Sequence, residues 1–166
     1  FKTLVLDSLT SWFKLALTYA IELSRTYGLK EQPTIERPQL VGYGIRSTAT
    51  KEMAFNLINW CRKHGVNCVF IAHKGEMVKD EQTGIMYNSI GLSGDIPNEI
   101  ARWCDECWMM GVDGTGKRLL QVQPLSNARP LKTRMFSSDV STVDATTLSL
   151  SQLIDAWRST GKINND

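Results

Sequence analysis

Two short apolar runs constrain this chain more than any other feature. Lys2 to Leu6 and Val66 to Ala72 each read as a strand, and each ends in polar residues, Asp7-Ser8 and His73 respectively. Strands this apolar along their whole length belong to parallel sheets that are covered on both faces. The second run follows a helical pattern and a tight turn, which is the βαβ rhythm of α/β proteins. The fold predicted on this basis is α/β, with a mainly parallel sheet flanked by helices. The first run starts directly after Phe1, as expected of a fragment whose preceding part of the sheet is missing.

The spacing of Leu9, Trp12, Phe13, Ala16, Tyr19, Ala20 and Leu23 predicts a helix that stops near Gly28. Residues 29–45 contain Pro33, Pro38, Gly42 and Gly44 and read as a long loop. A second helix is expected from Ser47 to His64, with Met53, Leu57, Trp60 and Cys61 on one face and Gly65 as its stop. Beyond the second strand the pattern changes. Glu76 to Ile90 reads as a hairpin and Ile96 to Trp103 as a short helix behind Asp95. Glu106 to Val112 and Arg118 to Gln123 form a C-terminal β-hairpin region. Ser137 to Thr147 is rich in Ser, Thr and Asp and reads as a linker before an amphipathic helix from Leu150 to Ser159. The expected organisation is a core over 1–136, a linker over 137–147, and a terminal helix over 148–166 that packs on the core or at an interface.

The chain has 166 residues, enough for one domain with a substantial core. A formal charge of +2 neither requires nor excludes a nucleic-acid partner. Arg46, Lys51, Arg62, Lys63 and Lys74 are scattered over several elements and form no stripe in the sequence. No apolar run approaches the roughly 20 residues that span a bilayer, and no secretory pattern is present. The expectation is a cytoplasmic protein with no membrane partner.

Three segments carry chemistry. In Leu4-Val5-Leu6-Asp7-Ser8, a carboxylate ends a buried parallel strand, the position where α/β sheets bind ligands. Such an Asp can hold a magnesium ion against nucleotide phosphates; equally, it can cap the helix that comes next. His73 ends the strand Val69-Phe70-Ile71-Ala72. If the two strands are neighbours, Asp7 and His73 emerge at one sheet edge, where an imidazole can donate to a terminal phosphate oxygen. The alternative is a histidine that satisfies loop carbonyls. Lys132-Thr133-Arg134 places two cations one residue apart, suited either to a neighbouring subunit's nucleotide or to a solvated basic loop.

Two further patterns favour structural readings. Gly111 to Arg118 has P-loop spacing, but Arg118 stands where the magnesium-binding hydroxyl belongs. A strand-like run succeeds it instead of a helix, so Asp113-Gly114-Thr115-Gly116 reads as a hairpin turn. Cys104 and Cys107 form a C-x-x-C, and with Cys61 and Cys68 they supply enough thiols for a zinc site. Cys61 lies on an apolar helix face and Cys68 inside a strand, which points to buried free thiols. Trp12, Trp60 and Trp157 sit on helical apolar stripes and read as core.

The order of these segments resembles the phage-encoded RecA-like ATPases of the "AAA domain" nucleotide-binding type, some of which act beside single-strand annealing proteins. The resemblance covers Lys2 to Arg134, about four-fifths of the chain. It implies a RecA-like core that binds ATP and Mg2+. Asp7 would be the Walker B carboxylate and the magnesium ligand, acting through water, with Ser8 its companion at the nucleotide. His73 would be the polar sensor, and Lys132 and Arg134 the catalytic pair presented across a subunit interface. It further implies a homo-oligomer, ring or filament, with single-stranded DNA and a phage annealing or single-strand-binding protein as partners in the host cytoplasm. The chain departs from the pattern in having no Walker A loop and no catalytic glutamate ahead of the Walker B strand, so hydrolysis by this chain alone is not expected. A second reading from another class is a non-catalytic module for oligomerisation or single-stranded DNA binding.

Overall fold

The computed structural model describes residues 2–28, 32–79, 81–123 and 131–160. The protein is mixed α/β with small sheets. Its chain divides into two compact units, Phe1–Gly75 with Ile90–Trp103 and Glu76–Ser89 with Cys104–Asp166.

In the first unit, β1 (Thr3–Asp7) pairs in parallel with β2 (Asn67–Ile71), in a register running from Thr3 opposite Asn67 to Asp7 opposite Ile71. The connection carries α1 (Leu9–Ser24) and α2 (Gln39–Lys63), which pack on one another. The buried stripe of α1 is Leu9, Phe13, Ala16, Ala20 and Ser24, spaced by three or four residues as an amphipathic helix requires. Ser24 is tolerated there because its hydroxyl donates to the Ile21 carbonyl at 2.7 Å. Thr50, fully buried on α2, likewise donates to the Arg46 carbonyl at 2.8 Å. After a 3-10 turn over Arg25–Tyr27, Gly28 adopts φ +61° and ends the helical path, as its position in the sequence predicts.

Two expectations for this unit fail for packing reasons. The segment from Gln39 to Ile45, read as loop from its glycines and prolines, is the beginning of α2. Pro38 precedes the first turn, where a proline costs no hydrogen bond. Gly42 is buried against α1, and a Cβ on it would stand 3.2 Å from Ile21 Cδ1. Close helix approach, not propensity, sets this boundary. The parallel sheet is also less covered than its apolar sequence predicts. Val5 is 52% exposed and Ile71 43%, because the sheet has only two strands among the described residues.

β3 (Lys74–Lys79) and β4 (Met86–Ile90) form a two-stranded sheet, matching the hairpin expected over this segment. α3 (Ile96–Trp103) comes next, with Ile96, Pro97, Ile100 and Ala101 buried. Three contacts tie α3 to α2. Lys51 Nζ lies 3.0 Å from Glu99 Oε2, Phe55 meets Trp103 edge-on at 5.4 Å, and Arg62 donates to the Trp103 carbonyl at 2.9 Å. Trp60, expected in the core, is instead 44% exposed and stacks on His64 at 4.3 Å, one helical turn away.

The second unit holds a three-stranded antiparallel sheet of β5 (Met109–Val112), β6 (Arg118–Gln121) and β7 (Thr142–Asp144), in that order. Residues 137–147 are therefore not a free linker. They contribute the third strand, and Val140 and Ala145 are buried with Leu120, Val122, Met135, Phe136 and Leu153 in one cluster. The Ser/Thr-rich composition describes the exposed residues of this segment and says nothing of the few apolar ones that anchor it. Leu153, on α4 (Leu150–Thr160), brings the last helix onto the same core.

Candidate functional site

The helix-capping alternative for Asp7 is resolved by its neighbour. Ser8 is the N-cap of α1, with extended backbone angles of −129° and 154°, and its hydroxyl accepts the Ser11 N–H at 3.1 Å. Ser8 is buried and its hydroxyl also bonds that of Ser11 at 3.0 Å, so it is engaged in structure. The Asp7 carboxylate takes no part in this cap. It is exposed at the end of β1, and among the described residues it has no hydrogen-bond or ion-pair partner. The Asp7–Ser8 peptide bond is cis.

β1 and β2 are neighbours, the condition on which a shared edge depends. Asp7 pairs with Ile71, and His73 lies two residues beyond, so both leave the sheet at the same edge. The His73 backbone is held from two sides. Its N–H donates to Thr10 Oγ1 at 3.0 Å, and its carbonyl accepts the Gly91 N–H at 2.8 Å. The imidazole is exposed and does not serve loop carbonyls among the described residues.

Two glycines make this arrangement possible. A Cβ on Gly75 would stand 3.0 Å from both Gly91 Cα and the Ile90 carbonyl, and one on Gly91 would stand 3.1 Å from the His73 carbonyl. These neighbours are backbone atoms fixed by hydrogen bonds, so they yield little. Gly75→Ala is expected to destabilise the first unit by about 1–3 kcal/mol, read as a fall in its thermal unfolding midpoint. Neither glycine nor Thr10 carries a sequence signal that marks it.

The second cluster lies in the second unit. Lys132 and Cys107 form an isolated antiparallel bridge, with backbone N–H···O distances of 2.8 and 3.0 Å. Glu106 organises the residues just beyond Lys132. Its carboxylate accepts the Arg134 N–H at 2.6 Å, the Met135 N–H at 2.8 Å and the Trp108 indole N–H at 2.8 Å, and it is also bonded by the Thr133 hydroxyl. The Arg134 guanidinium reaches Asp105 at 3.1 Å, an exposed ion pair that water screens strongly. Lys132-Thr133-Arg134 is thus a segment held by its backbone, with the arginine side chain at the surface. The role of Glu106 was invisible in the sequence because its four partners lie 2 to 29 residues away.

The P-loop-like stretch is a hairpin turn, as its composition predicts. Gly116 adopts φ +85°, and Asp113 Oδ1 accepts from Thr115 N, Thr115 Oγ1 and Lys117 N at 2.7–3.0 Å. The Thr115 side-chain bond, helped by the backbone N–H groups and by Lys117, lowers the Asp113 carboxyl from its ordinary value.

No disulfide joins the four cysteines; Cys61 is buried, and Cys68, Cys104 and Cys107 are half-buried. Burial above all, and the neighbouring Cys104 thiol next, pushes Cys107 up to about 11, so it stays protonated at neutral pH. Among the described residues, no group of three or more His, Cys, Asp or Glu is placed to hold a metal ion. Arg46 is used inside the first unit, its guanidinium lying 4.0 Å over the Phe13 ring and 4.9 Å from that of Tyr43. Burial lowers its pKa from the ordinary arginine value. With Lys51 and Arg62 also engaged, three of the scattered cations serve internal contacts.

A cleft of about 480 Å³ runs between α1 and α2, lined by residues that include Tyr19, Tyr27, Val41 and Glu52, and neither Asp7 nor His73 borders it. No helix among the described residues is long and apolar enough to cross a membrane. Comparison with protein-family models, curated proteins and solved structures returned no match to this chain.

Proposed function

We propose that this chain is the metal, sensor and interface portion of a RecA-like ATP-binding core acting in phage DNA recombination or replication. The observation that carries the reading is the shared sheet edge: adjacent parallel strands end at Asp7 and Ile71, His73 follows two residues beyond, and the Asp7 carboxylate is left out of the helix cap. A carboxylate and an imidazole at the C-terminal edge of a parallel sheet suit the magnesium ion and the terminal phosphate of a nucleotide. Asp7 would hold Mg2+ through water, and His73 would donate to a γ-phosphate oxygen. Lys132 and Arg134 would face the nucleotide of a neighbouring copy in a ring or filament, Arg134 exchanging its exposed bond to Asp105 for phosphate. The DNA role and the annealing or single-strand-binding partner rest on the ordered resemblance alone.

These 166 residues contain no Walker A loop, so on this reading another polypeptide segment would supply the phosphate-gripping element. The test uses the full gene product. Magnesium-dependent ATP binding is expected, and Asp7→Ala should weaken it on the order of tenfold while leaving the fold intact by circular dichroism. Unchanged magnesium dependence in that variant removes Asp7 from the role. If the full product does not bind ATP, the reading as a non-catalytic oligomerisation or single-stranded DNA-binding module takes its place.

A further inference from the structure

His73 stands past the end of β2, in a segment without regular structure, and its side chain is exposed. A residue so placed ordinarily has freedom to wander. Its backbone is nevertheless fixed at both polar atoms, and the two anchors come from different parts of the unit. The carbonyl is held by Gly91, which lies just past β4. The N–H is held by Thr10, in the first turn of α1, 63 residues earlier in the chain and three beyond Asp7.

Thr10 lies in the first turn of α1, where no preceding helical turn offers its hydroxyl a carbonyl. Thr10 Oγ1 instead accepts from a remote strand end at 3.0 Å. Its methyl faces Gly91, where a Cβ would stand 3.6 Å from Thr10 Cγ2. β-Branching leaves a helical threonine two favoured rotamers, and in the one adopted here the hydroxyl meets the His73 N–H while the methyl lies beside Gly91. The first turn of α1 is in turn fixed by the Ser8 cap.

We infer that Thr10 is the positioning residue of His73, tying the sensor to the helix turn just beyond the metal carboxylate so that the two move as one body. This rests on the reading of Asp7 and His73 as two parts of a nucleotide site. A shift of Asp7 on metal binding carries the first turn of α1 with it, and through one hydrogen bond the His73 backbone moves too. The sensor thereby responds to the metal as well as to the phosphate.

The experiment compares Thr10→Val, which keeps the shape and removes the hydroxyl, with Thr10→Ser, which keeps the hydroxyl. In the full gene product, amide hydrogen exchange at His73 should rise roughly fivefold in Thr10→Val, as expected for one lost hydrogen bond, and stay near the unsubstituted rate in Thr10→Ser. On addition of Mg2+ and a non-hydrolysable ATP analogue, the His73 imidazole proton resonances should shift in the unsubstituted protein and in Thr10→Ser. In Thr10→Val the analogue concentration needed for that shift should rise by a similar factor. Unchanged His73 exchange in Thr10→Val overturns the inference, as does faster exchange with an unaltered imidazole response. If the unsubstituted protein shows no imidazole response, the nucleotide reading fails and the inference falls with it, an outcome distinct from the other two.

Discussion

Phe136→Ala is expected to lower the stability of the second unit by about 3–5 kcal/mol, the range for emptying a buried phenylalanine site. Phe136 is 1% exposed and, among the described residues, heads the fully buried side chains by volume. It belongs to the cluster of Leu120, Val122, Met135, Val140, Ala145 and Leu153, which joins β6, the strand just after Val140, and α4. Trp108 meets its ring edge-on at 5.8 Å and 66°, a favoured aromatic geometry. Truncation removes both the buried area and that ring contact, and β-sheet neighbours anchored by backbone bonds cannot collapse into the space. Urea unfolding followed by tryptophan fluorescence would report the loss. Phe136→Leu, which refills most of the volume, should cost clearly less; equal losses in the two variants would show that the ring is not the keystone of this cluster.

Glu106→Ala comes next, at about 2–4 kcal/mol. The carboxylate accepts four hydrogen bonds, two of them from backbone N–H groups of consecutive residues, Arg134 and Met135. Charge-assisted bonds of this kind exceed neutral ones, but Glu106 is only half-buried and water recovers part of the loss. The expected signature is local as well as global. Amide exchange at Arg134 and Met135 should accelerate more than the fall in overall stability explains, since these donors lose their acceptor directly. Glu106→Gln keeps an oxygen in place and should retain part of the effect. Because Glu106 fixes the segment that carries Lys132 and Arg134, the same variant tests whether the interface role proposed for these two residues depends on a rigid segment.

Several elements were readable from residues alone. The 3.6-residue spacing from Leu9 to Ala20, the glycine stops at 28 and 65, and the apolar run of β2 correspond to α1, the end of α2 and one strand of the parallel pair. Each depends on interactions within a few positions of the chain, so each leaves a local pattern. The hairpin turn at Asp113–Lys117 was legible for the same reason: its hydrogen bonds span at most four residues.

The misread segments share the opposite property. Gln39 to Ile45 is helical because Gly42 fits against Ile21 of α1, and residues 137–147 include a strand because Val140 and Ala145 reach a core built from distant elements. Trp60 is exposed because the burial stripe of α2 runs through Thr50, Ala54, Ile58 and Cys61. Composition and propensity are weak priors that a modest packing energy overrides.

The candidate site divides in the same way. That Asp7 and His73 come after apolar strands was written in the sequence, since strand ends are marked by the change from apolar to polar residues. That these strands are adjacent, that Ser8 and not Asp7 caps α1, that Thr10 and Gly91 hold the His73 backbone, and that Glu106 grips the Lys132–Arg134 segment were decided only in three dimensions. Local chemistry sets which residues are available at the end of each element. Pairing and hydrogen bonds between residues tens of positions apart set which of them meet, and a single chain's spacing holds no record of those distances.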